Sequence, residues 1–261
     1  MGESLKILEI KEVLMQIVEN SRDITVLTTS SDYKDNFMII ACDSIGSIGN
    51  KPSDVLKVEP EISAKYCLRV CLNEIYSVGA KPRLIISNVS NEWDPTGKNI
   101  YKAIKAECEK YSMNDIQING STEENFETQM TAFSITVIAK SECLKWNMTE
   151  SDDYIYLFGL PYVGKEVLEN EDRLLNPNEI ERLLARLDIH DFIPCGSNGI
   201  KKEIKILEAI SGCRYIDFDK IDETVISKSA GPATCGIFSH PSDDLLWNNI
   251  QLIGRMSQER V

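Results

Sequence analysis

The chain has 261 residues, 43% of them hydrophobic, and 28 Lys+Arg against 41 Asp+Glu give a formal charge of −13. That length allows one large domain or two ordinary ones with a proper core. The charge and the lack of any Lys/Arg cluster argue against a nucleic-acid partner, and no apolar run reaches the 18 residues of a membrane span.

In chain order, the apolar spacing of residues 5–18 predicts an amphipathic N-terminal helix. DITVLTTS (23–30) and NFMIIACD (36–43) form an expected hairpin across a polar turn. SIGSIGNKPSD (44–54) reads as a Gly/Ser/Pro-rich loop. A helix over 61–78 ends at Gly79 as C-cap. RLIISNVS is a strand, 96–113 a helix, DIQING a short strand, and 128–139 a strand rich in β-branched residues. The polar stretch 141–153 breaks this pattern, which divides the chain into an N-terminal domain (1–145) and a C-terminal one (146–261). The second part reads as strand YIYLFGLP, helices at 164–170 and 176–187, a Gly-led helix at 196–212, strands RYIDFD and PATCGIFS, and a last helix over 243–253. Mixed strands and helices in both parts give an α/β (α+β) class.

Eight cysteines show no Cys-x-x-Cys, and two histidines leave no zinc spacing. The cysteines read as reduced, mostly buried thiols of a cytoplasmic protein.

GLPYVGKE (159–166) has the spacing of a phosphate-binding P-loop up to Lys165. Glu166 then stands where a hydroxyl should hold Mg²⁺, and its charge would sit where phosphates bind at a helix N-terminus. The stretch therefore reads as a strand-to-helix turn.

Carboxylates beside glycine loops at strand ends suit Mg²⁺–phosphate binding better. Asp23 opens the hairpin, Asp43 ends its second strand, Asn73-Glu74 lie on the helix before GAKP, and Ser121-Thr122-Glu123-Glu124-Asn125 follow DIQING. Gly46 and Gly49 flank the loop, and Lys51 offers a point charge to a phosphate. Taken singly, each has a plain structural explanation as a turn residue or a solvated face. It is the joint pattern that carries weight.

The order DSIGSIGNKPSD, LRVCLNEIYSVGAKPRLIISNVS, NGSTEEN, then a β-branched strand, resembles the aminoimidazole ribonucleotide synthetase (PurM-like) superfamily over roughly residues 20–240. IGNKPSDV, EWDPTGKNI, GLPYVGKEV, GSNGI and KSAGPAT resemble its α-ribazole kinase-like group, linked to cobalamin salvage. The resemblance implies a two-domain fold whose N-terminal sheet closes a β-barrel across a homodimer. It implies an ATP- and Mg²⁺-dependent kinase moving a phosphoryl group to a nucleoside-like hydroxyl. Asp43 and Lys51 would be catalytic. Gly46, Gly49, Lys51, Gly120, Ser121, Thr122 and Asn198 would bind nucleotide. Asp23, Asp43, Glu74, Glu123 and Glu124 would hold metal. Ser121 and Asn198 depart from the acidic residues the superfamily often carries there. They keep open a nucleotide-binding protein without turnover; a different ATP-dependent enzyme of the same fold is the third alternative.

Overall fold

The structure is a computed structural model that describes residues 16–19, 22–28, 36–186, 188–219 and 221–258. β1 (Gln16–Glu19), β2 (Ile24–Thr28) and β3 (Phe37–Gly46) open a six-stranded sheet. A two-stranded parallel ribbon, β4 (Ile48–Gly49) and β5 (Leu56–Lys57), follows in the glycine loop. Then come α1 (Pro60–Ser77), β6 (Lys81–Val89), α2 (Lys98–Lys110), β7 (Gln117–Ser121) and β8 (Ala132–Ser141). The spatial order is β1-β2-β3-β8-β6-β7, antiparallel except between β6 and β7.

The hairpin forms as its period-two pattern requires, Ile24 opposite Ala41 and Thr28 opposite Phe37. Phe37, Ile39 and Ala41 on β3 and Phe133, Ile135, Val137 and Ala139 on β8 face inward. α1 covers that face with Cys67, Leu68, Cys71, Leu72 and Ile75, all fully buried. Pro60 opens the helix, where its missing N–H costs nothing, and Gly79 follows the end at φ 73°.

The second half contributes β9 (Tyr154–Phe158), α3 (Lys165–Glu169), α4 (Pro177–Arg186), β10 (Phe192–Pro194), α5 (Ile200–Ser211), β11 (Arg214–Asp217), α6 (Glu223–Ile226), β12 (Gly236–His240) and β13 (Ile250–Ser257). An antiparallel sheet runs β10-β12-β9-β13-β11. Both its faces are covered, which explains the unbroken apolar run of YIYLF. Tyr156, Phe158, Phe192 and Phe238 join the core around α1. Ile155, Leu157, Ile193 and Ile237 pack with Ile200, Ile204 and Leu207 of α5. α1 thus lies between the two sheets, touching β3 and β8 on one side and α4 and β10 on the other.

Two expected elements are corrected. Residues 16–19 of the expected N-terminal helix are a strand paired with β2. Ile17 is largely solvent-exposed there, so no buried helical stripe forms, and pairing satisfies backbone groups at the β2 edge. Residues 5–15 of that helix lie outside the described residues, as do 29–35 of the hairpin turn. The last helix is strand β13. Its apolar spacing mimics a helix, but Asn249 at φ 62° makes a turn and a bulge between Leu252 and Gly254 resets the register on β9. Gly254 allows the close approach of β11, since a Cβ there would stand 2.4 Å from the Ile216 carbonyl oxygen.

The six-stranded sheet is open in the single chain, with β1 and β7 at its edges, rather than closed as a barrel. Among the described residues no helix is long and apolar enough to cross a membrane. All eight cysteines are free, and six of them, Cys42 and Cys143 excepted, are buried.

A buried ion pair ties the halves together. Arg22, just before β2, donates to the Ser77 hydroxyl at 3.1 Å and the Phe192 carbonyl at 2.5 Å, and stands 3.6 Å from Asp191. The fully buried Asp191 carboxylate also accepts the N–H groups of Asn147, Met148 and Thr149 at 2.6, 2.8 and 2.8 Å and the Thr149 hydroxyl at 2.6 Å.

Candidate active site

A cleft of about 540 Å³ opens between α1 and the end of β3 on one side and the loops of the second sheet on the other. The hairpin brings Asp23 and Asp43 to it, α1 brings Glu74 and Tyr66, and the turns at 196–197 and 229–233 close the far side. The segment before and within α3 supplies Val163, Gly164, Val167 and Leu168.

The carboxylates are strained electrostatically. Glu74 is buried, and its Oε2 has no hydrogen-bond partner. Burial pushes its pKa up to about 8; Arg22 opposes the rise, and Asp23 and Glu203 add to it. Glu203, on the first turn of α5, is pushed up to about 7 by burial and then by Asp23, against a hydrogen bond from the Gly196 backbone. Asp43 is raised by burial and by Asp23, while the Ser44 backbone and the Cys67 thiol lower it. Asp23 packs on the Gly196 turn, where an added Cβ would meet its Oδ2 at 3.6 Å. Asp23 thus adds to the rise at each of the other three acids, which come from both halves of the chain.

Glu203 escaped the sequence reading. Its signal is an acid inside the buried stripe Ile200, Ile204, Leu207, which a solvated helix face would not carry.

The remaining expected residues fall elsewhere. Lys51 does not enter the cleft: its Nζ donates to Glu92 at 2.7 Å. Gly46 ends β3 beside the cleft, and Gly49 packs on Thr131, whose Oγ1 would lie 2.1 Å from an added Cβ. Gly120, Ser121 and Thr122 line a smaller cavity of about 240 Å³ with Trp93 and Tyr101. Glu124 accepts the Trp93 N–H at 2.9 Å and the Thr122 hydroxyl at 2.7 Å, and Glu123 accepts the Asn125 N–H at 2.6 Å. Asn198 is exposed, next to the cleft residue Ser197. The expected single constellation is thus two groups. β8 and β6 stand between β3 and β7 in the sheet, so the two strands are roughly 14 Å apart at about 4.8 Å per strand.

The donor set fits Mg²⁺ only in one way. Among the described residues no three His, Cys, Asp or Glu side chains gather closely enough to cage an ion. Mg²⁺ keeps several waters and takes one or two carboxylates plus phosphate oxygens. Asp23, Asp43 and Glu74, with the unpartnered Glu74 oxygen, suit an ion arriving with a nucleotide.

GLPYVGKE is a wall of this cleft and not a phosphate loop. Gly164, at φ 61°, starts a helix of only five residues, and Glu166 accepts the Val163 N–H at 3.1 Å and pairs with Lys228 at 2.7 Å. Lys228 first, then the Val163 N–H, hold the Glu166 pKa below the usual range. A carboxylate thus takes the helix N-terminus. Lys165→Ala is expected to change Mg²⁺·ATP affinity by less than about 1 kcal/mol, the range of ordinary surface substitutions. Calorimetry showing affinity abolished would return the phosphates to this loop.

These two sheets, with helices between and outside them, make a PurM-like fold, and structures of known proteins bear this out. AaThiL complexed with AMPPCP and TMP superposes with a TM-score of 0.67 at 12% identity, over 92% of this chain and 86% of that one. Thiamine monophosphate kinase from Aquifex aeolicus gives 0.61 at 13% identity, over 85% and 86%. PurL from T. maritima complexed with ATP gives 0.59 at 13% identity over 91% of this chain, which spans 38% of that larger protein. No protein-family model and no curated protein sequence matches the chain.

Proposed function

We propose that this protein is an ATP- and Mg²⁺-dependent phosphotransferase acting on a small molecule, with a nucleoside-like hydroxyl as acceptor. The observation that carries this reading is Glu74, a buried carboxylate whose Oε2 has no hydrogen-bond partner, facing a cleft with Asp23 and Asp43. A buried acid with an unmet oxygen is costly and persists where a ligand uses it. The likeness to a thiamine monophosphate kinase and to an ATP complex of PurL supports nucleotide as one ligand.

One or two of Asp23, Asp43 and Glu74, with nucleotide phosphate oxygens, would hold the metal ion, whose chemistry is neutralisation of phosphate charge. The chain itself supplies positioning: the rigid strand end and helix fix the carboxylates, and the turns at 196–197 and 229–233 bound the acceptor. For a loose phosphoryl-transfer transition state, such placement is most of catalysis. The sequence resemblance points to α-ribazole as acceptor, to a homodimer and to the cytoplasm.

A coupled ADP-release assay with α-ribazole, against thiamine monophosphate and formylglycinamidine ribonucleotide, tests the reading. Asp43→Asn is expected to lower turnover by about 10²-fold or more, about 3 kcal/mol of transition-state stabilisation, with the thermal midpoint retained. Unchanged turnover in the folded variant rules Asp43 out. A second reading, nucleotide binding without turnover, is favoured by Ser121 and Asn198 in place of acids and by the separation of Glu123 and Glu124 from the cleft. Binding of ATP with no ADP release for any acceptor would decide for it.

A further inference from the structure

Thr234 pins both ends of one stretch of the second half. The Tyr162 N–H donates to its Oγ1 at 2.9 Å, and the Leu175 N–H donates to its carbonyl oxygen at 2.9 Å. Between these pins the backbone N–H groups of Val163, Val167, Asn170 and Arg173 all bond within the segment, to Glu166, Gly164, Glu166 and Asn170. Among residues 163–173 only Val167 is buried. It packs with Tyr66 and Leu174 in a small cluster apart from both main cores. A compact surface loop whose ends meet, with few buried apolar contacts, opens locally at low cost.

Side chains fasten this loop to its neighbours. Glu166 pairs with Lys228 at 2.7 Å, and Glu171 pairs with Lys65 of α1. A third fastening is only half made. Arg69, also on α1, is buried, and its Nη2 stands 3.8 Å from Glu171 Oε1 and 3.5 Å from Glu107 Oε2. Neither its Nη2 nor its Nε has a hydrogen-bond partner. Its guanidinium lies 5.1 Å from the ring centre of Tyr66, which lines the cleft. A buried charged donor left unmet is costly. A shift of the loop by roughly 1 Å toward α1 would bring Glu171 to the distance of a charge-assisted hydrogen bond.

We infer that residues 163–173 are a flap that closes toward α1 when nucleotide fills the cleft, and that Arg69 is the catch that receives Glu171. This rests on the cleft being the nucleotide site of the proposed phosphotransferase. Val163, Gly164, Val167 and Leu168 are the flap residues that line the cleft, so the movement that completes the Arg69–Glu171 bond also carries them toward Ile62, Tyr66 and Val70 of α1. It narrows the mouth and covers Val163 and Leu168, which stand 44% and 40% exposed. Closure keeps water from the phosphates while the acceptor reacts. Arg69 is thus a positioning residue, acting on the cleft through Glu171 and Tyr66.

The test is hydrogen exchange on the whole chain, read by mass spectrometry with and without Mg²⁺·AMPPCP, with calorimetry to certify binding. The amides of 170–173, which do not line the cleft, are expected to exchange about ten-fold more slowly with the nucleotide bound. Glu171→Ala removes the carboxylate from the catch and should bring that protection to within about two-fold of the ligand-free rate. Lys65→Met breaks only the neighbouring surface pair and should retain it. A thermal midpoint within a few degrees of wild type certifies each fold, and Arg69→Met reads the same catch if Glu171→Ala fails this control. Wild type that binds Mg²⁺·AMPPCP without slowing at 170–173 overturns the flap and leaves the phosphotransferase reading intact. Slowing confined to 163–168 does the same, since contact with the ligand alone produces it. Protection unmoved by Glu171→Ala, or lost equally in Lys65→Met, overturns Arg69 as the catch. Absence of Mg²⁺·AMPPCP binding removes both readings.

Discussion

Glu74→Gln is expected to lower turnover by at least about 10³-fold, about 4 kcal/mol, while raising the thermal midpoint of the ligand-free protein. The two effects share one cause. Glutamine keeps the shape of the protonated acid but cannot ionise, so it removes both the charge proposed to bind metal and the repulsion with Asp23 and Glu203. The effect should exceed that of Asp43→Asn because Glu74 is more deeply buried, where a charge is worth more.

The sign of the pH dependence follows. Glu74 is raised from 4.5 to about 8 and Glu203 from 4.5 to about 7, so the native state binds these protons more tightly than the unfolded chain. Their contribution to stability is fully present below the unfolded pKa and is lost as pH rises through about 7 and then about 8. The ligand-free midpoint should therefore fall as pH rises from about 4.5 to about 8 and level off above that, with a shallower fall for Glu74→Gln. Mg²⁺ with AMPPCP should flatten the wild-type profile by binding the ionised form. Parallel profiles for wild type and variant would mean that Glu74 does not titrate as its burial requires.

The second large effect concerns stability alone. Asp191→Ala is expected to cost about 4 kcal/mol or more, because it strands a buried guanidinium and takes the acceptor from three N–H groups and from the buried Thr149 hydroxyl together. At this chain length that lowers the thermal midpoint by about ten degrees. Asp191→Asn, which keeps one carbonyl acceptor, should cost less. Arg22→Ala combined with Asp191→Ala should lose less than the sum of the two, since each single change leaves the other partner's charge or hydrogen-bonding groups unmet. Additive losses in a double-mutant cycle would show that the 3.6 Å pair is not coupled.

The hairpin and α1 were legible from plain signals: two apolar runs, DITVLTTS and NFMIIACD, either side of a polar turn, and a proline start, apolar stripe and Gly79 stop in α1. That Asp43 and Glu74 face one cleft follows from the same elements, Asp43 three residues before the end of β3 and Glu74 on the helix that covers it. The distance from Asp43 to the Gly120–Glu124 turn was not. Chain order does not encode that β8 and β6 are laid between β3 and β7. β13 was misread because LLWNNIQLIGRM satisfies helical spacing, and only the vacant strand position between β9 and β11 decides the matter. Asp191 gave no signal, since its partners are backbone groups more than forty residues away.

Helix α1 has a consequence for how such a protein diverges. The same eighteen residues fill the space between the sheets and carry Glu74 and the cleft floor. A lineage that drifts at Leu68, Leu72 or Ile75 loses its fold before it can move Glu74, so the acidic end is inherited along with the core. The short α3 and the turn at 229–233 carry less of this double duty, with only Val167, Ala230 and Ala233 buried. Change at the cleft should therefore come more readily from that wall, over a floor whose place is set by folding, while the acid at position 74, which folding alone disfavours, answers to what the cleft binds.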